Sequence, residues 1–281
     1  MTITPRQGFV RPRPARRPAG RHGPKLAVLL LVVFAAAVLP VTAARALAGG
    51  SGSAAVLCAR LGFLRVQNAW GRRYVIRNDN FGGRRECLRA GRGPRFTVTR
   101  SAADSRGPES LAYPNIFVGC SWGICTPRSG LPERVDRLRR PQTAWRITAR
   151  SGGTWDAGYD IWIGRRPVTS GQAKGTEIMI WLNTSGFGTP KHDRIIREGH
   201  VLYYLKYWYT NHHGVRWPLI IFRRVHPVSY ARMRLRPFPF LIRAERLGLL
   251  RPQWYLLSIE AGFEIWRGGR GLATDWFWAK P

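Results

Sequence analysis

From Val56 onward, short runs of β-branched and aromatic residues alternate with Gly, Pro and Asn punctuation. Runs at 74–76, 96–99, 116–118, 144–148, 159–163, 176–182, 201–209, 218–223 and 254–266 each read as a strand. Many short strands separated by turn residues predict an all-β sandwich or barrel. Only 238–250 (FPFLIRAERLGLL) spaces its apolar residues at helical intervals, which predicts one helix. With no internal repeat and no second composition boundary, one domain is expected over 54–281.

Three of the runs carry two unlike rows, because successive side chains on a strand point to opposite faces. In 176–183 one row is Ile178, Ile180 and Leu182, and the other is Glu177, Met179, Trp181 and Asn183. In 159–163 the polar row holds Asp160 and Trp162; in 254–266 it holds Ser258, Glu260, Gly262, Glu264 and Trp266. The chain has 15 acids, so four of them within these aromatic-rich strands form a concentration. If the strands are neighbours, the carboxylates converge above a floor of Trp162, Met179, Trp181 and Trp266. The plainer reading is carboxylates paired with surface arginines and aromatics packed in a core.

A carboxylate cluster among aromatics suits cleavage of a glycosidic bond. One carboxylate attacks the anomeric carbon, and a second, protonated, serves the leaving oxygen. Aromatic faces stack on sugar rings, and amides bind hydroxyls. Metal-dependent hydrolysis would call for spaced histidines, and His212 and His213 are adjacent, pointing to opposite sides of any strand. A serine hydrolase would carry a G-x-S-x-G elbow, which the sequence lacks.

Charge and compartment change the picture in two ways. Lys and Arg number 46, a formal net charge of +31, and only eight of these cations lie in the first 48 residues. The excess therefore belongs to the folded part as well, and it would favour anionic wall polymers, membranes or nucleic acid. No nucleic-acid motif accompanies it, so no specific nucleic-acid partner is expected. Residues 1–25 are rich in Pro, Arg and Gly, and the apolar run at 26–41 precedes A-x-A sites ending at Ala46 and Ala48. These features predict a signal peptide over 1–48, a Gly/Ser/Ala linker over 49–53 and export from the cell. The alternative is an uncleaved anchor that faces the domain outward; the run is short and contains Pro40. Export in turn predicts disulfides among Cys58, Cys87, Cys120 and Cys125. Cys120 and Cys125 would staple one loop, leaving Cys58 with Cys87.

Several segments together resemble glycoside hydrolase family twelve, the small secreted β-jelly-roll endoglucanases. The most specific are Glu177-Ile178-Met179-Ile180-Trp181 and Gly262-Phe263-Glu264-Ile265-Trp266. Tyr159-Asp160-Ile161-Trp162, Trp254-Tyr255-Leu256, Leu131-Pro132 and the stretch from Tyr113 to Cys120 support them, so the resemblance runs from about Cys58 to Phe277. It implies a β-jelly-roll sandwich of two antiparallel sheets with one helix and a substrate cleft on the concave face. It also implies Glu177 as nucleophile, Glu264 as acid/base, and Asp160 beside the nucleophile, with anomeric configuration retained. Cys58/Cys87 and Cys120/Cys125 fall where bacterial members form their two disulfides.

Substrate contacts are expected from Asn78, Phe81, Trp122, Trp162, Met179, Trp181, Glu260 and Trp266. The implied protein is a monomer that needs no cofactor or metal and takes β-glucan as substrate. The chain departs from the family at Asn78-Asp79-Asn80-Phe81-Gly82, where Phe81 replaces a sugar-stacking Trp, and at Lys191-His192-Asp193. Glu260 stands where relatives often have Gln, and it is expected to raise the pKa of Glu264. An endo-β-1,4-glucanase follows, with a xyloglucan-specific enzyme as the nearest alternative. A non-catalytic carbohydrate- or wall-binding jelly roll is the alternative of another class, and nucleic-acid binding rests on charge alone.

Overall fold

The computed structural model describes residues 54–281 apart from 140, 213, 229–232 and 236–237. The signal expected over 1–48 and the linker over 49–53 lie outside the described residues. No helix among the described residues is long and apolar enough to cross a membrane.

Two sheets form a β-jelly-roll sandwich, with strands numbered in chain order. The six-stranded sheet runs β1 (Ala55–Leu57), β4 (Glu86–Ala90), β5 (Phe96–Ser101), β18 (Ala273–Lys280), β10 (Gln142–Thr148), β16 (Met233–Leu235). The twelve-stranded sheet follows the path β13 (Arg194–Glu198), β14 (Val201–His212), β15 (Val215–Arg224), β12 (Thr176–Ser185), β11 (Gly153–Gly164), β17 (Tyr255–Gly268), β7 (Asn115–Ser121), β3 (Arg73–Arg77), β2 (Phe63–Gln67). Short strands β6 (Ala103–Asp104) and β9 (Glu133–Arg134) pair with β17, and β8 (Ile124–Cys125) pairs with β7.

The apolar rows read from the sequence are the inner faces. Ile178 and Ile180 of β12, Tyr159 and Ile161 of β11, and Ile259 and Phe263 of β17 are all buried. They meet the small sheet through aromatic contacts: Trp145 of β10 lies 5.4 Å from Tyr159 and 5.6 Å from Phe263, and Tyr74 of β3 lies 5.3 Å from Phe277 of β18. Burial of such rings supplies the largest apolar areas in a core, and edge-to-face geometry adds to it. The core therefore fixes which face of the large sheet points outward.

Two details differ from expectation. The sheets are antiparallel except where β12 and β15 run parallel, with Glu177 opposite Leu219. A parallel neighbour needs a long return connection, and residues 186–214, which contain β13 and β14, provide it. The helix α1 (Phe238–Arg246) stops short of Leu250. Gly248, at φ 71°, donates to Glu245 O, and Leu249 donates to Ala244 O at 3.0 Å, the paired bonds that close a helix through a left-handed glycine. Leu249 and Leu250 still enter the core, but from beyond the helix.

Both expected disulfides are present. Cys58–Cys87 ties the chain after β1 to β4, and Cys120–Cys125 closes the turn between β7 and β8.

Candidate active site

The outward face of β12, β11 and β17 gathers the polar rows. Register sets Glu177 beside Trp162 and Ser258, and Met179 beside Asp160 and Glu260. Trp181 stands beside Gly158 and Gly262, and Asp156 lies directly opposite Glu264. Extra residues in the strands beside β11, Leu182 in β12 and Leu257 and Trp266 in β17, bend the sheet along this face. Two glycines occupy the middle of the row because no side chain fits there. A Cβ at Gly158 would meet Trp181 Cδ1 at 2.9 Å and Asp156 Oδ1 at 3.0 Å, and one at Gly262 would meet Pro114 O at 2.5 Å.

Glu177 is held from β15. The Trp217 indole Nε1 donates to Glu177 Oε2 at 2.6 Å, and its ring lies 5.8 Å from Trp162. Trp162 Nε1 donates in turn to Asp160 Oδ2 at 2.7 Å. Ser110 Oγ donates to Glu264 Oε1 at 3.0 Å from the segment before β7. Each of the two glutamates thus has a neutral donor that fixes one of its oxygens.

All carboxyls of the row titrate above their ordinary range, and burial is the largest cause in every case. For Glu177, the Trp217 N–H opposes the shift, and Glu264 and Glu260 add to it. For Asp160, the charges of Glu177, Glu260 and Glu264 add, and the Trp162 N–H opposes. For Glu264, Ser110 and Asp156 oppose. Groups that perturb one another in this way lose their protons as a set, so the face cannot carry all its negative charges at once.

Glu260 differs from expectation. It is 1 % exposed, accepts from Ser258 Oγ at 2.9 Å and pairs with Arg77 at 3.3 Å, which also reaches Asp79 at 2.7 Å. Its carboxylate is engaged by the protein rather than offered to a substrate, and Asp156 is the acid that adjoins Glu264. Asn78 requires a second correction. It is fully buried, and its Nδ2 donates to Ala59 O and Glu86 O, so the amide anchors the turn after β3 rather than facing the open side of the sheet.

Asn183 also leaves the row. The irregularity in β12 sets it opposite Ala157, a core residue, and its Nδ2 donates to Val228 O at 3.0 Å.

The remaining residues lie at the ends of the face. Trp122, half exposed, stands edge-on to His212 at 6.4 Å, and with Trp162 it borders a small hollow beside Ser170 and Gln172. Phe81 is exposed on the turn after β3. Met179 is buried in the middle of the row. At the other end, Trp181 and Trp266 flank Phe187 at 5.4 and 5.0 Å, and Trp266 Nε1 donates to Pro108 O. Arg223 of β15 donates to Gly188 O at 2.9 Å and so seats the loop that carries Phe187.

Sequence reasoning missed Asp156, Ser110, Phe187, Trp217 and Arg223. Asp156 alone had a signal: carrying the row of Asp160 back past Gly158 arrives at it.

The strands that build this face lie within a match to a known family. Residues 89–280 match the model of glycosyl hydrolase family 12. Endoglucanase cel12A from Rhodothermus marinus superposes with a TM-score of 0.72 at 35 % identity, over 80 % of this chain and 98 % of that one. A probable cellulase, Cel12b, of Mycobacterium tuberculosis is 28 % identical over 159 residues, 54 % of this chain and 97 % of its own length. Endoglucanase S of Pectobacterium parmentieri is 28 % identical over 172 residues, 59 % of this chain; the match spans 64 % of that relative's length.

Proposed function

Because the chain belongs to glycosyl hydrolase family 12, and is a glycoside hydrolase on that ground, we propose that it is an exported endo-β-1,4-glucanase that cleaves internal bonds of β-glucan by double displacement. The observation that carries this reading is the pair of differently held carboxyls on one face. Glu177 is fixed by Trp217 Nε1, and Glu264 is fixed by Ser110 Oγ. In the first step a Glu177 oxygen attacks the anomeric carbon as the glycosidic bond breaks, and Glu264 gives its proton to the departing oxygen. In the second step Glu264 takes a proton from water, which attacks the same carbon and releases Glu177.

Asp160 lies between these groups, and its charge and that of Glu177 each hinder the other's ionisation. It therefore favours proton uptake by the cluster when Glu177 is ionised, and ionisation of Asp160 when Glu177 is esterified. Trp162 and Trp122 at one end, and Trp181, Trp266 and Phe187 at the other, are the surfaces on which sugar rings would stack in a cleft. Soluble cellulose and mixed-linkage glucan suit such a cleft; xyloglucan requires in addition room for branches. The basic N-terminal region, the apolar run after it and the two disulfides support export.

The test is reducing-end release by the domain from 54 to 281 on carboxymethylcellulose, barley β-glucan and xyloglucan, with Glu177→Gln in parallel. Release by wild type and none by the variant is expected. Equal release by both would remove Glu177 from the chemistry. Silence on all three substrates would overturn the glucanase reading.

A further inference from the structure

Asp156 is fully buried, no side chain donates to either of its carboxylate oxygens among the described residues, and the one donor that bears on it is the Glu264 backbone N–H. It stands directly across from Glu264 on the neighbouring strand, and the two carboxyl groups lie within hydrogen-bonding reach of each other. The Gly158 backbone and the Trp181 ring close over it, with Asp156 Oδ1 3.0 Å from where a Gly158 Cβ would be. Two carboxylates cannot hydrogen-bond without a proton, and a buried acceptor short of donors is costly. A charged, unpaired carboxylate at this place would cost more still.

We propose that Asp156 and Glu264 are joined by one shared proton, and that Asp156 is a positioning residue which keeps that proton available to the acid/base. Asp156 is sealed from solvent whereas Glu264 is only partly buried, so Asp156 acts through Glu264 and touches no substrate. When Glu264 gives its proton to the leaving oxygen, the pair becomes a dianion, and its repulsion is relieved when Glu264 recovers a proton from the attacking water. No atom is consumed and the pair ends each cycle as it began. The inference rests on the acid/base role proposed for Glu264.

The surroundings bear on the pair from every side. Glu260 shares β17 with Glu264, Glu177 comes from β12 and Asp160 lies on the same strand as Asp156. Arg223 from β15 favours the ionised form of Asp156. Tyr113, on the segment before β7, senses Asp156, Asp160, Glu260 and Glu264 together and is itself held neutral by them and by burial. The balance lies with the proton: burial, then the Glu264 carboxyl, raises Asp156 well above the carboxylate range against the opposition of the Glu264 backbone N–H and Arg223.

The test is Asp156→Asn, which keeps the shape and supplies a donor to Glu264 but cannot share an acidic proton with it. The alkaline limb of kcat/KM on soluble β-glucan should move to lower pH while the acid limb stays in place. From mildly acidic to mildly alkaline pH the variant should lose roughly tenfold more kcat/KM than wild type, the effect of one unit of pKa. A superimposable alkaline limb would overturn the proposal.

Infrared difference spectra at neutral pH provide a readout that needs no substrate. Wild type should show a protonated carboxyl band that Glu264→Gln removes, because the amide then donates to Asp156. Persistence of that band in Glu264→Gln would overturn the proposal even if Asp156→Asn failed to fold. Loss of glucanase activity in wild type would instead strike the function proposed for the face, and the band would still decide whether the pair shares a proton.

Discussion

Trp217 Nε1 donates to Glu177 Oε2 at 2.6 Å. The contact spans two strands that run parallel, β12 and β15, and it depends on that pairing, because the residues are forty apart in the chain. An indole N–H is a donor only, so it favours the ionised carboxylate that a nucleophile must be. Burial drives Glu177 the other way, and Trp217 is the largest opposing influence.

Trp217→Phe keeps the ring against Trp162 and deletes the N–H. Glu177 then holds its proton to higher pH, so the acid limb of kcat/KM on soluble β-glucan should move upward. Maximal turnover should fall about ten- to a hundredfold, the worth of one charge-assisted bond of roughly 1.5–3 kcal/mol. An unchanged acid limb would show that the indole packs but does not tune Glu177.

The two-row reading of the sequence succeeded where strand parity runs unbroken. Glu177, Met179 and Trp181 fall on one face of β12, and Glu260 and Glu264 on one face of β17, because no irregularity interrupts those stretches; Trp266, the extra residue between Ile265 and Arg267, still lies beside Trp181. Parity failed at Asn183, where one extra residue in β12 re-aims the amide. It was not extended to Asp156, which lies beyond Gly158 in a stretch poor in β-branched residues. Trp217, Phe187 and Ser110 reach the face from a distant parallel strand and from loops. Their placement depends on tertiary pairing, which local alternation does not encode. Asn78 looked like a sugar-binding amide by its neighbours, and only the packing around it reveals two backbone acceptors.

Asn78→Ala is accordingly a stability variant. It leaves Ala59 O and Glu86 O short of a buried donor, at a cost of about 1–3 kcal/mol. Thermal unfolding should move to lower temperature, while KM for soluble glucan stays at the wild-type value. A large rise in KM with unaltered melting would return Asn78 to the substrate site.

Glu86 makes stability depend on pH. Burial raises its pKa to about 8, with Ser101 opposing and Asp79 adding. A carboxyl whose pKa is higher folded than unfolded binds more protons in the folded state. Stability from this group is therefore full in acid and declines as pH rises from the ordinary glutamate range to about 8. Glu86→Gln should flatten that decline, melting above wild type at mildly alkaline pH and close to it in acid. A variant that melts parallel to wild type at every pH would show that Glu86 does not titrate in this interval.

The most direct measurement is to trap the enzyme with a 2-deoxy-2-fluoro cello-oligosaccharide bearing a good leaving group, followed by peptide mass spectrometry. Double displacement through Glu177 predicts one added glycosyl unit on the peptide that contains Glu177, formed as activity disappears. A label on any other residue, or turnover of the reagent with inversion and no adduct, would contradict it.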